Sequence, residues 1–385
     1  MRRILELLEL MFRRIVVYPV LRLVFRNARV ELPLDRSRIG SILILRYDKI
    51  GDMVVTIPVV RVLKDRMPGV RLAVLGSESN IGVLDGETAV DNRFVLYRNP
   101  LKLVSELVQM RAMHFDVVLN FIFNRTTSGA LISNFVSPKG VKVGQGAERY
   151  RFYFNVLMDL GRSSKHMLDV LLDYVESVFG LTAKDHERRL AFSPGHAAEQ
   201  SVSQYLREHG LRRKNQGETS GESYCVFNIS AGELPKQITM TQAVAVGKYV
   251  SRNKNMTVVI IAAPVDTGRR TEVVRLVHSA KCLSFPRSGS ATLHQIASLL
   301  EGAAFVITPD TSIVHFASAV GTPIIGFFTP LQIMAEWIPY KVDYAVIQAP
   351  RDQPVSAIEP PQLTEGIESF MNSRRGIRKK SPKTR

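Results

Sequence analysis

Apolar residues occur in short continuous runs from residue 41 onward, and amphipathic stretches separate the runs. The first four runs are predicted strands: SILILRY, RLAVLGS, FVLYR and DVVLNF. Helices are predicted from about Met53 to Met67, where Pro68-Gly69 ends the pattern, and over LKLVSELVQM. Strands that are apolar throughout are typical of a parallel sheet covered by helices on both faces.

The same alternation starts again at residue 224, after a polar stretch. The second set of predicted strands is YCVFNIS, MTVVIIA, CLSF, AFVITP and TPIIGFF, with helices near 240–252, 268–279, 292–301 and 312–320. The pattern therefore predicts an α/β protein with two tandem Rossmann-like domains. Ligands of such domains bind at the carboxyl ends of the strands, so we expect a site in a cleft between the two domains.

These patterns divide the chain into six segments. They are a basic amphipathic N-terminal arm (1–40), a first Rossmann-like domain (41–207), a Gly- and Ser-containing linker (208–223), a second Rossmann-like domain (224–348), a C-terminal helical segment (349–372) and a basic disordered tail (373–385).

The net charge of +16 is concentrated at the two ends of the chain. Residues 1–30 contribute +5 and residues 373–385 contribute +7, which leaves only +4 for residues 31–372. Nucleic-acid binding is therefore not favoured, because no basic surface with interleaved aromatic residues is evident. The two cysteines, Cys225 and Cys282, lie in separate apolar runs, which predicts free thiols in a reducing compartment.

The N-terminal arm has apolar residues at helical spacing: Ile4, Leu8, Met11 and Ile15. Charged residues interrupt the pattern, so its longest apolar run, IVVYPVL, is too short to span a bilayer. A basic amphipathic helix of this kind lies on an anionic membrane surface. The alternative is a helix that packs on the protein core.

The loop after the first predicted strand, RYDKIGDMVVTIP (46–58), places a carboxylate at the start of a helix. It lacks the three glycines of a dinucleotide-binding loop. Asp52 either caps the helix by accepting a backbone N–H or takes a proton from a substrate hydroxyl. Spacing alone leaves both interpretations open.

The first loop of the second domain, NISAGELPKQIT (228–239), combines small residues with a cation. Ser230 and Gly232 permit close approach of a ligand to the backbone, and Lys236 is expected near the start of the next helix. Because helix N-termini favour anions, a phosphate between the lysine and the helix would stabilise both. The alternative is an ordinary surface lysine.

The stretch ITPDTSIVHFASAVGTPIIGFF (307–328) has four polar residues at one strand end. Asp310, Thr311 and Ser312 are all good N-cap types, and only one of them can be the cap. The remaining hydroxyl and backbone N–H groups suit phosphate oxygens. His315 is expected on the same helix face as Thr311, so the loop is typical of a diphosphate site.

In this order and spacing, the three stretches resemble the ADP-heptose:lipopolysaccharide heptosyltransferase family, glycosyltransferase family 9. The closest matches are RYDKIGDMVVTIPVVRVLKDRMPGVRL and LEGAAFVITPDTSIVHFASAVGTPIIGFF, and the resemblance covers roughly residues 41–345. It implies a B-type glycosyltransferase fold, with the acceptor on the first domain and the nucleotide sugar on the second.

The resemblance also implies roles for individual residues. Asp52 matches the general base and Lys236 a lysine on the donor diphosphate, while the ribose contact is Asp266 or Glu272. The other residues implied in donor binding are Ser230, Gly232, Asp310, Thr311, Ser312 and His315. Those that we expect to contact an anionic acceptor are Arg46, Lys49, Arg98 and Arg125.

The function expected from the resemblance is inverting transfer of a heptose from ADP-heptose to an anionic lipopolysaccharide-core glycolipid. No cofactor and no metal are expected, because Lys236, Thr311 and a helix start stabilise the leaving diphosphate. The expected location is cytoplasmic, peripheral at the inner face of the cytoplasmic membrane. The alternatives are the same fold with another nucleotide sugar, and a non-catalytic, membrane-tethered sugar-binding protein.

Overall fold

The protein consists of two α/β units. The computed structural model describes residues 11, 15, 18–25, 27–123, 126–146, 148–160, 165–182, 186–214, 221–252, 256–330 and 334–379. The first unit is Met1–Arg188 and the second is Arg189–Arg385. Among the described residues, no helix combines the length and the hydropathy needed to cross a bilayer.

A six-stranded parallel sheet forms the centre of the first unit. In chain order its strands and helices are α1 (Tyr18–Val24), β1 (Ser41–Leu45), α2 (Ile50–Arg66), β2 (Arg71–Ser77), β3 (Asn92–Leu96), α3 (Pro100–Ala112), β4 (Val117–Asn120), α4 (Thr126–Val136), β5 (Val141–Gln145), β6 (Val156–Met158) and α5 (Met167–Phe179). The strand order is β3-β2-β1-β4-β5-β6. The order reverses direction beside β1, which is the switch point where Rossmann-like folds bind ligands.

The core of the first unit forms because its strands are apolar on both faces, as the sequence pattern predicts. Helix α2 packs against α5, and α3 packs against α4. Leu43 and Leu45 of β1 share a buried cluster with Leu107 and Met110 of α3. One side of α3 therefore covers the sheet.

A second parallel sheet forms the centre of the second unit. Its elements are α6 (His196–Glu208), β7 (Leu211–Arg212), β8 (Glu222–Asn228), α7 (Met240–Ser251), β9 (Met256–Ile261), α8 (Thr267–Val277), β10 (Cys282–Ser284), α9 (Leu293–Gly302), β11 (Val306–Pro309), α10 (Ser312–Ala319), β12 (Ile324–Phe328), α11 (Met334–Trp337), β13 (Tyr344–Gln348) and α12 (Pro360–Lys379). The strand order is β10-β9-β8-β11-β12-β13, with the short β7 paired to β8. Both sheets confirm the predicted fold class.

The boundary between the units lies earlier than the predicted linker. Helix α6 belongs to the second unit because it packs against α9, and Ser201 on α6 accepts a hydrogen bond from Gln295 at 2.9 Å. Part of the predicted linker 208–223 is structured, since β7 pairs with β8 and Arg213 is buried. Residues 215–220 lie outside the described part of the chain.

The two ends of the chain contain helices that pack on their own units. Tyr18 of α1 lies edge-on to Tyr150, with ring centroids 5.9 Å apart, while Val20 and Leu23 are exposed. Helix α12 starts later than the predicted segment 349–372 and extends to Lys379. Residues 373–379 are therefore helical, whereas the sequence predicted a disordered tail. The earlier turns of α12 pack on the core, and the helix continues from them into these residues. Residues 380–385 are outside the described residues.

Candidate active site

Arg46 organises the carboxyl end of β1 in the first unit. Its side chain is 1% exposed, and its Nη2 lies 2.9 Å from Oδ1 of Asp52. Its Nε donates to the Asp52 carbonyl oxygen at 3.1 Å, and its Nη1 donates to the Phe121 carbonyl oxygen at 2.5 Å. The predicted contact between Arg46 and an acceptor is therefore wrong, because protein oxygens surround the buried guanidinium.

Asp52 lies inside helix α2 rather than at its N-cap. The helix begins at Ile50 with Lys49 as the N-cap residue, so Asp52 is the third helical residue. The cap interpretation of Asp52 is therefore wrong. Arg46 instead fixes the orientation of the carboxylate, whose side chain is 12% exposed. A carboxylate at this edge suits contact with a substrate hydroxyl.

Asp48 is a second carboxylate on the same guanidinium, and it was not among the site residues predicted from the sequence. Its Oδ2 lies 3.3 Å from Nη1 of Arg46. Burial raises the pKa of Asp48 to about 6, and the Asp52 charge adds to this rise while Arg46 opposes it. Two acids, Asp48 and Asp52, follow Arg46 within six residues, and this spacing was the available sequence signal for a cation shared by two carboxylates.

Asn80 connects the loop after β1 to the loop after β2. Its Nδ2 donates to the Arg46 carbonyl oxygen at 2.9 Å, and its Oδ1 accepts the Ser77 N–H at 2.7 Å. A Cβ added to Gly76 would lie 2.7 Å from Asn80 Oδ1, so glycine is needed for this close approach. The polar run SESN after the second strand was the available sequence signal for Asn80.

The other predicted acceptor residues fall into two groups. Lys49 and Arg98 are exposed, in the loops that follow β1 and β3. Both therefore lie at the carboxyl edge of the sheet, as predicted, and their role in acceptor binding stays a prediction. Arg125 lies outside the described residues.

In the second unit, Asn228 connects the ends of two neighbouring strands, β8 and β11. Its Nδ2 lies 3.0 Å from the Ser230 carbonyl oxygen, 3.0 Å from Thr308 Oγ1 and 3.2 Å from Thr311 Oγ1. This buried amide positions both loops. Asn228 and Thr308 were not predicted, because each is a single polar residue at the end of an apolar run. Their side chains meet only because β8 and β11 are neighbours in the sheet.

Lys236 forms an ion pair with Asp310 across these loops, with Nζ 2.7 Å from Oδ2. Burial lowers the pKa of Lys236, but the charges of Asp310 and Glu233 outweigh it and raise the pKa above its ordinary value. Lys236 lies in a 3-10 turn, Leu234–Lys236, and the side chain of Thr239 caps the next helix. Asp310 therefore supplies a negative partner for Lys236 within the protein, whereas the sequence pattern suggested a phosphate for that position.

Thr311 is the N-cap of α10, which resolves the choice among three candidates. Its Oγ1 accepts the Ile313 N–H at 3.3 Å, and Ser312 is the first helical residue. His315 is buried, with its ring 5.5 Å from that of Trp337. The loop therefore presents a capped, dipolar helix start beside the Lys236–Asp310 pair.

Ser230 and Gly232 differ in environment. Ser230 Oγ accepts the Ala263 N–H at 2.9 Å, so the hydroxyl fixes the loop after β9. Space is open around Gly232, since an added Cβ meets no atom within 4 Å.

The structure separates the two candidates for ribose contact. Asp266 lies in the loop directly after β9, at the carboxyl edge of the sheet. Glu272 lies farther along α8, where Arg275 donates to both of its carboxylate oxygens and lowers its pKa. This placement favours Asp266. Within the described residues, no three His, Cys, Asp or Glu side chains form a group that would hold a metal ion.

A family model matches a stretch of the chain that includes the loops of the second unit. The model of glycosyltransferase family 9 (heptosyltransferase) matches residues 106–360. The chain belongs to this family. This family 9 protein is therefore a glycosyltransferase.

Known proteins similar to this family 9 transferase include curated and structurally solved relatives. The lipopolysaccharide core heptosyltransferase OpsX of Haemophilus influenzae is 22% identical over 308 residues, which cover 77% of this chain and 81% of OpsX. The family 9 glycosyltransferase of Veillonella parvula has a TM-score of 0.74 at 18% identity, and the matched region covers 89% of this chain and 100% of the Veillonella chain. E. coli heptosyltransferase WaaC, solved with ADP, has a TM-score of 0.64 at 17% identity, and the matched region covers 86% of this chain and 99% of WaaC. These solved structures agree with a fold of two Rossmann-like domains.

Proposed function

We propose that this chain transfers a heptose from ADP-heptose to the core of a lipopolysaccharide glycolipid, with inversion and without a metal ion. Membership of the heptosyltransferase family supports the sugar and the acceptor class. The observation that carries the proposal is the cluster of Lys236, Asp310 and Thr311 at the carboxyl edge of the second sheet. WaaC, a relative with the same fold, was solved with ADP-2-deoxy-2-fluoro heptose, which supports ADP-heptose as the donor.

The donor diphosphate is proposed to bind at the start of α10. The helix dipole and the Lys236 ammonium both attract negative charge there, and Ser312 adds a hydroxyl. Asp310 repels phosphate, so its role is to hold Lys236 by the 2.7 Å ion pair. We assign the ribose hydroxyls to Asp266 and close backbone approach to Gly232, while His315 supports the first turns of α10 from the buried side.

The chemical step is proposed to be a single displacement. Asp52 accepts the proton of an acceptor hydroxyl, and the hydroxyl oxygen forms a bond to the anomeric carbon of the heptose. The bond from that carbon to the diphosphate oxygen breaks, and ADP leaves with the electron pair. Lys236 and the α10 N-terminus stabilise the charge that develops on the diphosphate.

Lys236 and the helix start are proposed to replace the divalent cation that other sugar transferases place on the diphosphate. We therefore expect EDTA to leave turnover unchanged. Complete loss of turnover in EDTA, restored by Mg²⁺ or Mn²⁺, would contradict this part of the proposal.

The acceptor is lipid-anchored, so we propose that the protein works at the inner face of the cytoplasmic membrane. Lys49 and Arg98, both exposed, are proposed to pair with its carboxylates or phosphates. The basic N-terminal arm is proposed to add attraction to anionic lipids.

The deciding experiment is transfer by the purified full-length chain with ADP-heptose and a lipopolysaccharide-core acceptor. Mass spectrometry should show the acceptor gaining one heptose, and NMR should show an inverted anomeric configuration. UDP- and GDP-sugars serve as control donors, and we expect them to give no product. Transfer from a UDP- or GDP-sugar with no reaction of ADP-heptose would contradict the proposed donor.

A further inference from the structure

Helix α3 of the first unit exposes an apolar side. Leu101 is 82% exposed, Val104 59% and Val108 54%. Spacings of three and four residues place these side chains on one side of the helix. Leu107 and Met110 lie on the other side and pack into the core, so the exposed side is not needed to attach α3 to the sheet.

The neighbouring helix α4 extends this surface. It packs beside α3 and exposes Leu131 and Phe135. Arg111 joins the two helices, because its guanidinium lies 5.1 Å from the Phe135 ring centroid and donates to the Phe135 carbonyl oxygen. We call Leu101, Val104, Val108, Leu131 and Phe135 together the apolar face.

Positive charge exceeds negative charge next to the apolar face, although the exposed Glu78 lies at the start of α3, where its carboxylate accepts the Arg98 N–H. Exposed cations lie on α3 and at the ends of the two helices: Arg98, Lys102, Arg111 and Lys139. Glu106 is the one acid in the sequences of α3 and α4. It is half-buried, and burial raises its pKa. The face is therefore apolar and cationic.

Helix α1 presents a similar surface next to α4. Leu21 and Phe25 pack against a cluster that contains Ala130 of α4 and Tyr153. Val20, Leu23 and Val24 remain more than half exposed, and α1 contains Arg22 but no acid. The arm helix thus continues the same chemistry along the first unit.

We propose that the apolar face is a second membrane-contact surface that binds an anionic bilayer, in addition to the N-terminal arm. Exposed apolar side chains ringed by Lys and Arg are the combination by which peripheral proteins enter the interface of anionic lipids. Cations favour the anionic leaflet, whereas a second copy of this surface would bring like charges together. This inference rests on the proposed function, because a lipid-anchored acceptor requires contact between the enzyme and the membrane.

The test is sedimentation of the full-length chain with phosphatidylcholine vesicles that contain phosphatidylglycerol. The variant L101Q/V104Q/V108Q should lower the partition coefficient about tenfold, because binding scales with the apolar area inserted. A matched control, L234Q/V265Q, changes two exposed apolar residues of the second unit and should bind as wild type does. Binding of the triple variant equal to wild type would overturn the proposal.

Transfer assays separate failure of this proposal from failure of the proposed function. With a water-soluble acceptor lacking acyl chains, the triple variant should turn over as wild type does; with the acceptor in vesicles, it should be about tenfold slower. If wild type transfers to neither acceptor, the proposed function fails while the vesicle result still decides the membrane surface. Sedimentation velocity tests the alternative of a dimer. If wild type is a dimer and the triple variant is a monomer that still binds vesicles as wild type does, the apolar face contacts a second copy and the proposal is overturned.

Discussion

Arg46 shows how a buried residue defines a site at the residue scale. The sequence places it in a loop with three charged neighbours, which suggested an exposed cation for an acceptor. In the fold the guanidinium is buried and bonded to Asp52, Asp48 and the Phe121 carbonyl oxygen. A buried arginine needs such compensation, because leaving its charge or its donors unpaired is costly.

Replacement of Arg46 by Met should therefore destabilise the first unit by about 3–5 kcal/mol, because two carboxylates lose their shared cation. Urea unfolding followed by circular dichroism measures this change. R38M, which removes an exposed arginine, is the matched control and should cost less than about 0.5 kcal/mol. The triple variant R46M/D48N/D52N should recover part of the loss; equal instability in the triple variant would show that packing, not charge, makes Arg46 necessary.

Asp48 should make stability depend on pH in the direction opposite to most acids. Its pKa is raised to about 6 by burial, from an ordinary value of 3.8. The folded state thus binds the proton more tightly than the unfolded state, so stability should fall as the pH rises from about 4 to about 6 and stay level above that. Relative to D48N, wild type should lose on the order of 2 kcal/mol between pH 4 and 7.

Urea unfolding of wild type and D48N across this pH range measures the difference. The matched control D65N replaces an exposed acid of the same unit, and its stability curve should run parallel to that of wild type. A constant difference between wild type and D48N at every pH would exclude a raised pKa for Asp48.

Lys236 should contribute mainly to turnover. Its ammonium is fixed by Asp310 beside the α10 start, so K236M removes charge where the leaving diphosphate develops it. We expect kcat to fall about 10²–10³-fold, with K236R intermediate. K248M changes an exposed lysine of α7 and should keep wild-type kcat; a less than threefold effect of K236M would remove Lys236 from the mechanism.

At the element scale, the start of α10 illustrates how a short helix depends on its cap. Helix α10 has eight residues, which is too short to be stable in isolation, so its cap and its buried side hold it in place. Thr311 caps it and also receives the Asn228 amide. The same side chain therefore orients the helix dipole and joins two strand ends.

Thr311→Val should lower the stability of the second unit by about 1–2 kcal/mol, because the variant keeps the shape but loses the cap oxygen. Thr311→Ser retains that oxygen and serves as the matched control, with a loss below about 0.5 kcal/mol. Urea unfolding measures both. A larger loss in Thr311→Ser than in Thr311→Val would show that the methyl group, not the cap oxygen, stabilises the loop.

At the scale of the whole molecule, each unit has its own sheet and core. The core of the second unit includes Leu363, Ile367 and Phe370 from α12, although α12 follows the last strand. The C-terminal helix is thus part of the second unit rather than an appendage.

Removal of residues 360–385 should prevent stable folding of the second unit, since burial of these three side chains contributes about 5–8 kcal/mol. Limited proteolysis should then digest residues after about 189 and spare the first unit. Removal of only residues 380–385 leaves the three side chains in place and should preserve wild-type protease resistance. If the second unit of the chain lacking residues 360–385 resists the protease, α12 is dispensable for the core.

The sequence by itself determined the α/β class, most strands of both sheets and the three strand-to-helix connections near which Asp52, Lys236 and Thr311 lie. It did so because apolar runs and their spacing are local properties that parallel sheets impose directly. Strands β5, β6, β7 and β13 were not predicted. Strands β6 and β7 have only three and two residues, β5 (VKVGQ) contains Lys142 and Gln145, and β13 is an edge strand without a buried residue.

Only the tertiary structure decided which polar groups meet. Asn228 reaches Thr308 and Thr311 because β8 and β11 are neighbours in the sheet, 80 residues apart in the chain. Lys236 meets Asp310 for the same reason, and Arg46 is buried because β1 and β4 are adjacent. Hydrogen bonds and ion pairs depend on distances of about 3 Å, and strand order, which no local pattern contains, sets those distances.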